Sequence, residues 1–169
     1  QVQRIRDVEH ARASRTPVAG LYLTFSPPKS LSALWGVADA GTQSLLAQAH
    51  HAAMRDTLGL LERQVAATRV GHGGVASMPV RGVIATAFDH YDTRAGDPQL
   101  HTHVVVSNKV QGVDGKWRTL DSRTLHKATV ALSASYNAFL ADHAARLLGV
   151  SWVPVVRRSS QFTGWEIGG

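Results

Sequence analysis

His101-Thr102-His103 sets two imidazoles two residues apart. The segment around them, 100–110 (LHTHVVVSNKV), is dense in β-branched residues and reads as a strand. Side chains at i and i+2 of a strand leave from the same face, so both rings can meet one cation. His90 stands near the end of a second strand-like segment, 80–91, and a short polar loop joins the two. Antiparallel pairing across that loop would set His90 opposite the pair. Three imidazoles converging on one point, with coordination positions left open, suit a catalytic metal site. By donor type alone they favour zinc or another transition metal.

A His-x-His in a strand is a weak signal by itself, because buried neutral histidines are common. The third histidine on the adjoining strand is what strengthens it. The spacing also invites comparison with the cupin β-barrels, which usually add a glutamate a few residues downstream. Here residues 104–109 are Val-Val-Val-Ser-Asn-Lys and supply no carboxylate. The other histidines (His10, His50, His51, His72, His126 and His143) fall in helical or polar surroundings and are assigned no chemistry.

Composition narrows the classes further. The chain has 169 residues, enough for one domain with a hydrophobic core, and 44% of them are apolar against 18% charged, as in globular proteins. Without cysteine there is neither a disulfide nor a thiolate metal site. No run of 18 apolar residues suggests a membrane span, and the N-terminal stretch is charged throughout, unlike a signal peptide. Membrane insertion is therefore not expected, and a cytoplasmic location is. A net charge of +6 and a pI near 10.3 suit a polyanionic partner.

The elements that must position the histidines follow from periodicity. Residues 1–15 read as a polar helix or loose arm, and 19–26 as a strand stopped by Pro27-Pro28. A short helix covers 31–38 and a long amphipathic one 42–69, ended by Gly71-His72-Gly73-Gly74. Strand 80–91 is expected to bury one face. After strand 100–110, Val113-Asp114-Gly115-Lys116 turns a hairpin into a short strand, 117–120. Asp121 or Ser122 caps a helix that runs to Leu148, where Gly149 stops it. Segments 150–157 and 161–167 close the chain as a pair of strands. The expected class is α+β, an antiparallel β-sheet flanked by helices, forming a single domain over residues 1–169.

Four ordered segments then carry a resemblance. His90-Tyr91-Asp92-Thr93-Arg94 and Asp97-Pro98-Gln99-Leu100-His101-Thr102-His103-Val104-Val105-Val106 resemble the histidine motif of the TrwC/TraI-type (MobF) conjugative relaxases. Leu23-Thr24-Phe25-Ser26-Pro27-Pro28-Lys29-Ser30 resembles that family's LTFSxPKS, and Asp114-Gly115-Lys116-Trp117-Arg118-Thr119-Leu120-Asp121 its DGxWRxL. Tyr136-Asn137-Ala138-Phe139-Leu140, with Leu147-Leu148-Gly149, resembles its last long helix. The likeness spans about Ala19 to Gly149.

The resemblance implies an HUH endonuclease that binds single-stranded DNA at an origin of transfer. A tyrosine attacks the scissile phosphate and becomes linked to the 5′ end. His90, His101 and His103 are the implied ligands of a divalent ion, Mg²⁺ or Mn²⁺ by family habit, with Zn²⁺ allowed by the donors. Asp97 either orients one imidazole or only shapes the Asp-Pro turn. Lys29 and Arg94, with Thr24, are candidate DNA contacts, and the two cations equally suit a solvated surface. Proteins of the conjugation machinery are further implied partners. Two departures bear on activity. The family's nucleophilic tyrosines precede the LTFS segment, and its C-terminal segment clasps DNA; this stretch has neither, and begins with Gln rather than Met. Tyr22 stands where the family keeps an aspartate, sharing a strand face with Thr24. The chain alone is therefore expected not to nick, with Tyr22 the one candidate nucleophile. A metal-bearing single-stranded DNA-binding module without catalysis is the alternative. A small zinc or iron β-fold enzyme unrelated to DNA is the reading from another class.

Overall fold

Two consecutive prolines, Pro27 and Pro28, stop the first strand, because neither can donate to a ladder. In this computed structural model, which describes residues 18–156 and 163–168, that strand is β1 (Gly20–Phe25). The expected N-terminal helix or arm lies outside the described residues, as do 157 and 161–162 of the closing pair. Helix α1 (Lys29–Val37) follows directly. Asp39 then caps α2 (Ala40–Gln64), its carboxylate accepting from the Gly41 and Thr42 amides at 2.9 and 3.1 Å.

The long helix ends five residues earlier than its apolar stripe suggests. Residues expected to be its last turn form β2 (Ala67–Val70), which pairs antiparallel with β3 (Ala76–Pro79). Tertiary pairing overrides helical periodicity here: Thr68 is buried, bridges to Leu120, and donates its hydroxyl to the Thr119 carbonyl at 2.7 Å. The glycine run does not stop the helix but makes the β2–β3 reversal through a 3₁₀ turn, with Gly71, Gly73 and Gly74 at positive φ.

Strands β4 (Ala85–Asp92) and β5 (Pro98–Ser107) form the hairpin expected around the histidines. With β1 they make a three-stranded antiparallel sheet in the order β1-β5-β4. One expectation is overturned: β4 buries neither face, since all eight of its residues are exposed. It is an edge strand, and Ala85 and Ala87 carry too little side chain to reach a core. The run expected as one strand to Val110 breaks at Asn108, which turns to bond Ala19 and Val18. Beyond it β6 (Lys109–Gln111) pairs with β7 (Trp117–Thr119).

Asp121 caps α3 (Ser122–Leu148), and Gly149, at φ 69°, ends it in the left-handed region that glycine adopts without strain. Strands β8 (Trp152–Val156) and β9 (Thr163–Ile167) form the closing pair. The chain is α+β, as its patterning implies. Leu100, Val104 and Val106 of β5 are fully buried in one apolar cluster with Leu46, Ala49 and Ala53 of α2 and Leu140 and Ala144 of α3. Each such large side chain stabilises the fold by about 2 kcal/mol through apolar area withdrawn from water. Among the described residues, no helix is long and apolar enough to cross a membrane.

Candidate metal centre

The β4–β5 register decides where the imidazoles go. His90 pairs directly with His101, and Phe88 with His103, so all three histidines project from the sheet face opposite the core. Their ring centroids lie 5.2 Å apart for His90–His101, 4.8 Å for His90–His103 and 4.8 Å for His101–His103. His101 Nδ1 sits 2.9 Å from the Gln99 carbonyl, which can only accept; Nδ1 therefore carries the proton and Nε2 the lone pair a metal would use. His103 Nδ1 lies 3.2 Å from the Thr24 hydroxyl on the facing strand. Partial burial, and then the neighbouring His101 and His90, hold the His103 imidazole below its ordinary pKa. Neutral imidazoles with one nitrogen oriented by an oxygen are the form in which histidine binds a metal.

The structure brings Tyr22 and Thr24 to this face. Tyr22 is 62% exposed, and its ring centroid is 4.9 Å from that of His103. Asp97 is not brought to an imidazole: its backbone closes the β4–β5 turn with Thr93, and the oxygen that orients His101 belongs to Gln99. Lys29 donates to the Pro98 carbonyl at 3.0 Å, which tethers α1 to the start of β5, and Arg94 lies exposed in the turn.

Behind the same strands is a second group that the sequence reading passed over. His50 and His51 of α2 and Asp89 of β4 offer ligand atoms that all lie within 4.8 Å of one another, so they can hold a metal ion. His50 is fully buried, with Nδ1 at 2.7 Å from the Tyr136 hydroxyl and Nε2 at 2.7 Å from the Thr102 hydroxyl. Burial, and then His51 beside it, lower its pKa to about 4, so it is neutral near pH 7. Burial alone would raise the Asp89 carboxyl, but hydrogen bonds from Thr102 and His51 hold it below the usual carboxylate range. A histidine pair on a helix carries no spacing signal toward a strand about 40 residues away, which is why periodicity did not find the group.

With this geometry in hand, the comparisons with known proteins decide the family. The family profile described as TrwC relaxase matches residues 2–169. The chain belongs to the TrwC relaxase family. It is 40% identical over 109 residues to the multifunctional conjugation protein TraI of Escherichia coli, a match covering 64% of this chain and 6% of TraI. The metal-bound structure of the conjugative relaxase TrwC in complex with oriT DNA is similar with a TM-score of 0.74 at 32% identity, covering 92% of this chain and 52% of that one. TrwC complexed with a 27-mer DNA comprising the recognition hairpin and the cleavage site gives a TM-score of 0.74 at 30% identity, covering 99% and 61%. The chain thus spans a small part of TraI and little more than half of the solved TrwC chains.

In this relaxase-family chain, side chains of the DGxWRxL segment hold the β6–β7 turn. Asp114 accepts both Arg118 guanidinium nitrogens, at 2.8 and 2.7 Å, while Gly115 takes the positive φ that the β6–β7 turn needs. A cavity of about 720 Å³ lies elsewhere, between Pro28, Lys29, Asn137, Trp152 and Trp165.

Proposed function

We propose that this chain forms the metal-bearing floor of a relaxase site, over which single-stranded DNA is held for transesterification at an origin of transfer. The carrying observation is the set of three imidazoles with centroids within 5.2 Å on an open sheet face, in a chain of the TrwC relaxase family. His90, His101 and His103 are the proposed ligands of one divalent ion. Mg²⁺ or Mn²⁺ is the family expectation, and an all-imidazole donor set also admits Zn²⁺. When bound, such a cation would neutralise the charge that builds on the non-bridging phosphate oxygens. The neutral ligands leave that charge undiminished.

The chain's own residues supply the rest. The Gln99 carbonyl fixes the His101 tautomer, and Thr24 steadies His103. Arg94 in the turn and Lys29 at the start of α1 are proposed phosphate contacts. The net charge of +6 favours a polyanion, and the related TrwC structures contain oriT DNA. Residues 1–169 act as one unit in this reading, in the cytoplasm, alongside proteins of the conjugation machinery. Among the described residues, Tyr22 is the one tyrosine on the metal face: Tyr136 is buried against His50, and Tyr91 is stacked on Trp35 at 5.2 Å. Tyr22 in place of the family's aspartate favours a stretch that binds metal and DNA but does not nick alone.

Titration calorimetry with Mn²⁺ tests the assignment. The parent is expected to bind one ion through the triad, and His101→Ala/His103→Ala to bind none there; undiminished binding by the double variant would overturn it. Single-stranded DNA should bind weakly at low salt and be released as salt rises, through counterion release. Failure to bind at low salt would leave the chain without its proposed partner.

A further inference from the structure

Protons order the polar group behind the metal face, whose His50, Thr102 and Tyr136 are buried, in one direction. The Asp89 carboxylate can only accept. Thr102 has a single proton and donates it to Asp89 Oδ1 at 2.6 Å. The Thr102 oxygen must then accept from His50 Nε2–H at 2.7 Å. His50 Nδ1 is left to accept the Tyr136 hydroxyl proton at 2.7 Å, and His51 Nε2 meets Asp89 Oδ2 at 3.0 Å. One chain of bonds, Tyr136 to His50 to Thr102 to Asp89 to His51, therefore joins both long helices to both histidine-bearing strands. Both His50 nitrogens are used in it, so a metal ion could enter His50–His51–Asp89 only by displacing Thr102 or Tyr136.

The chain of bonds crosses the sheet at the triad's own register. Thr102 lies between His101 and His103, Asp89 precedes His90, and Asp89 pairs with Thr102 between the Phe88–His103 and His90–His101 pairs. Strand β4 has no buried residue to anchor it, and its pairing shifts register just beyond His90. The Asp89–Thr102 bond is thus a side-chain tie on the strand that must bring His90 to the other two rings. We propose that Thr102, held by His50 and tied to Asp89, is the positioning residue of the three-histidine face, and that His50–His51–Asp89 works as this lock rather than as a second metal site. The inference rests on the triad's being the metal centre, and deepens it.

Mn²⁺ titration and the imidazole nuclear Overhauser contacts of the metal-free protein test it together. Thr102→Val keeps the shape but leaves His50 Nε2–H and Asp89 Oδ1 without partners, while His51 still meets Asp89 Oδ2; Thr102→Ser keeps the hydroxyl. In folded Thr102→Val, Mn²⁺ affinity should fall about 10-fold or more, as when an outer partner of a metal-ligating histidine is lost. The His90–His103 ring contact should weaken, and Thr102→Ser should restore both. Asp89→Ala and Asp89→Asn, at an exposed position of β4, give the same comparison should Thr102→Val not fold. Asn still accepts from Thr102 and should bind like the parent, whereas Ala should not. Parent-like affinity and ring contacts in the Val and Ala variants would overturn the proposal. So would an Asn variant as weak as Ala, which would make the effect one of charge, or two ions bound per parent chain with one lost in His51→Ala. A parent that binds no Mn²⁺ would sink the metal reading alone, and the ring contacts would still decide whether Thr102 positions the histidines.

Discussion

Strand β5 has two faces with opposite designs. Its inward side chains, Leu100, Thr102, Val104 and Val106, are fully buried, and the one polar group among them has its bonds satisfied. Its outward side chains, His101, His103 and Val105, remain partly exposed, with ring nitrogens left open. The first face is made of interactions that already exist in the folded chain. The second is made of capacity held back. A strand can do both because alternate side chains are independent across the sheet but rigidly spaced along it. Stability should therefore reside on one face and ligand binding on the other.

Substitutions that separate stability from binding would sharpen that contrast. Leu100→Ala should have the largest effect on stability, a loss of about 3 kcal/mol from the lost transfer energy and the cavity left behind. His103→Ala, removing a partly exposed ring, should change the denaturation midpoint little while weakening metal binding. Denaturant unfolding beside Mn²⁺ titration checks both. A His103→Ala loss as large as that of Leu100→Ala would erase the distinction between the faces.

The buried polar group makes the inner face sensitive to acid. His50 has its folded-state pKa lowered from 6.5 to about 4, by burial first and then by His51. As pH falls below 6.5 the unfolded chain takes up a proton that folded His50 refuses, so stability drops until about pH 4. The shift corresponds to about 3 kcal/mol. The groups acting on His50 are His51, Tyr136, Thr102, Asp89 and, as the smallest charge effect, His101; of these, Asp89 loses its stabilising charge only below its unfolded value of 3.8, beneath this window. Unfolding at pH 7 and pH 5 should show the loss, and His50→Gln, which does not titrate, should flatten it. Equal slopes in parent and variant would place the titration elsewhere.

What was legible in the sequence follows the same division. His101-x-His103 and the polar loop after His90 announce the outer face, because a period of two and a hairpin act over few residues. Asp121, Gly149 and Pro27-Pro28 mark element ends correctly for the same local reason. Thr68–Thr119, Ser30–Glu166 and His50–Thr102 were invisible, since each joins residues more than 50 positions apart. The long helix was overextended where such a partnership captured residues with helical periodicity. Asp89 was missed because it faces away from the histidine beside it.

Tyr22 is where the two faces meet the question of chemistry, and its effect on stability should be the smallest. It is 62% exposed, so Tyr22→Phe should leave the unfolding midpoint unchanged. Its ring nevertheless lies 4.9 Å from that of His103, on the face proposed to hold the cation. A phenol beside a divalent ion can lose its proton more easily and attack phosphate. The resemblance argues the other way: it implies an aspartate at this position that helps activate the family's tyrosine, a role a phenol does not fill. The expected result is therefore no covalent protein–DNA band when the chain is incubated with Mn²⁺ and single-stranded DNA spanning candidate origins, then run on a denaturing gel. A band that vanished in Tyr22→Phe would reverse this, making Tyr22 the nucleophile and the outer face a complete active site.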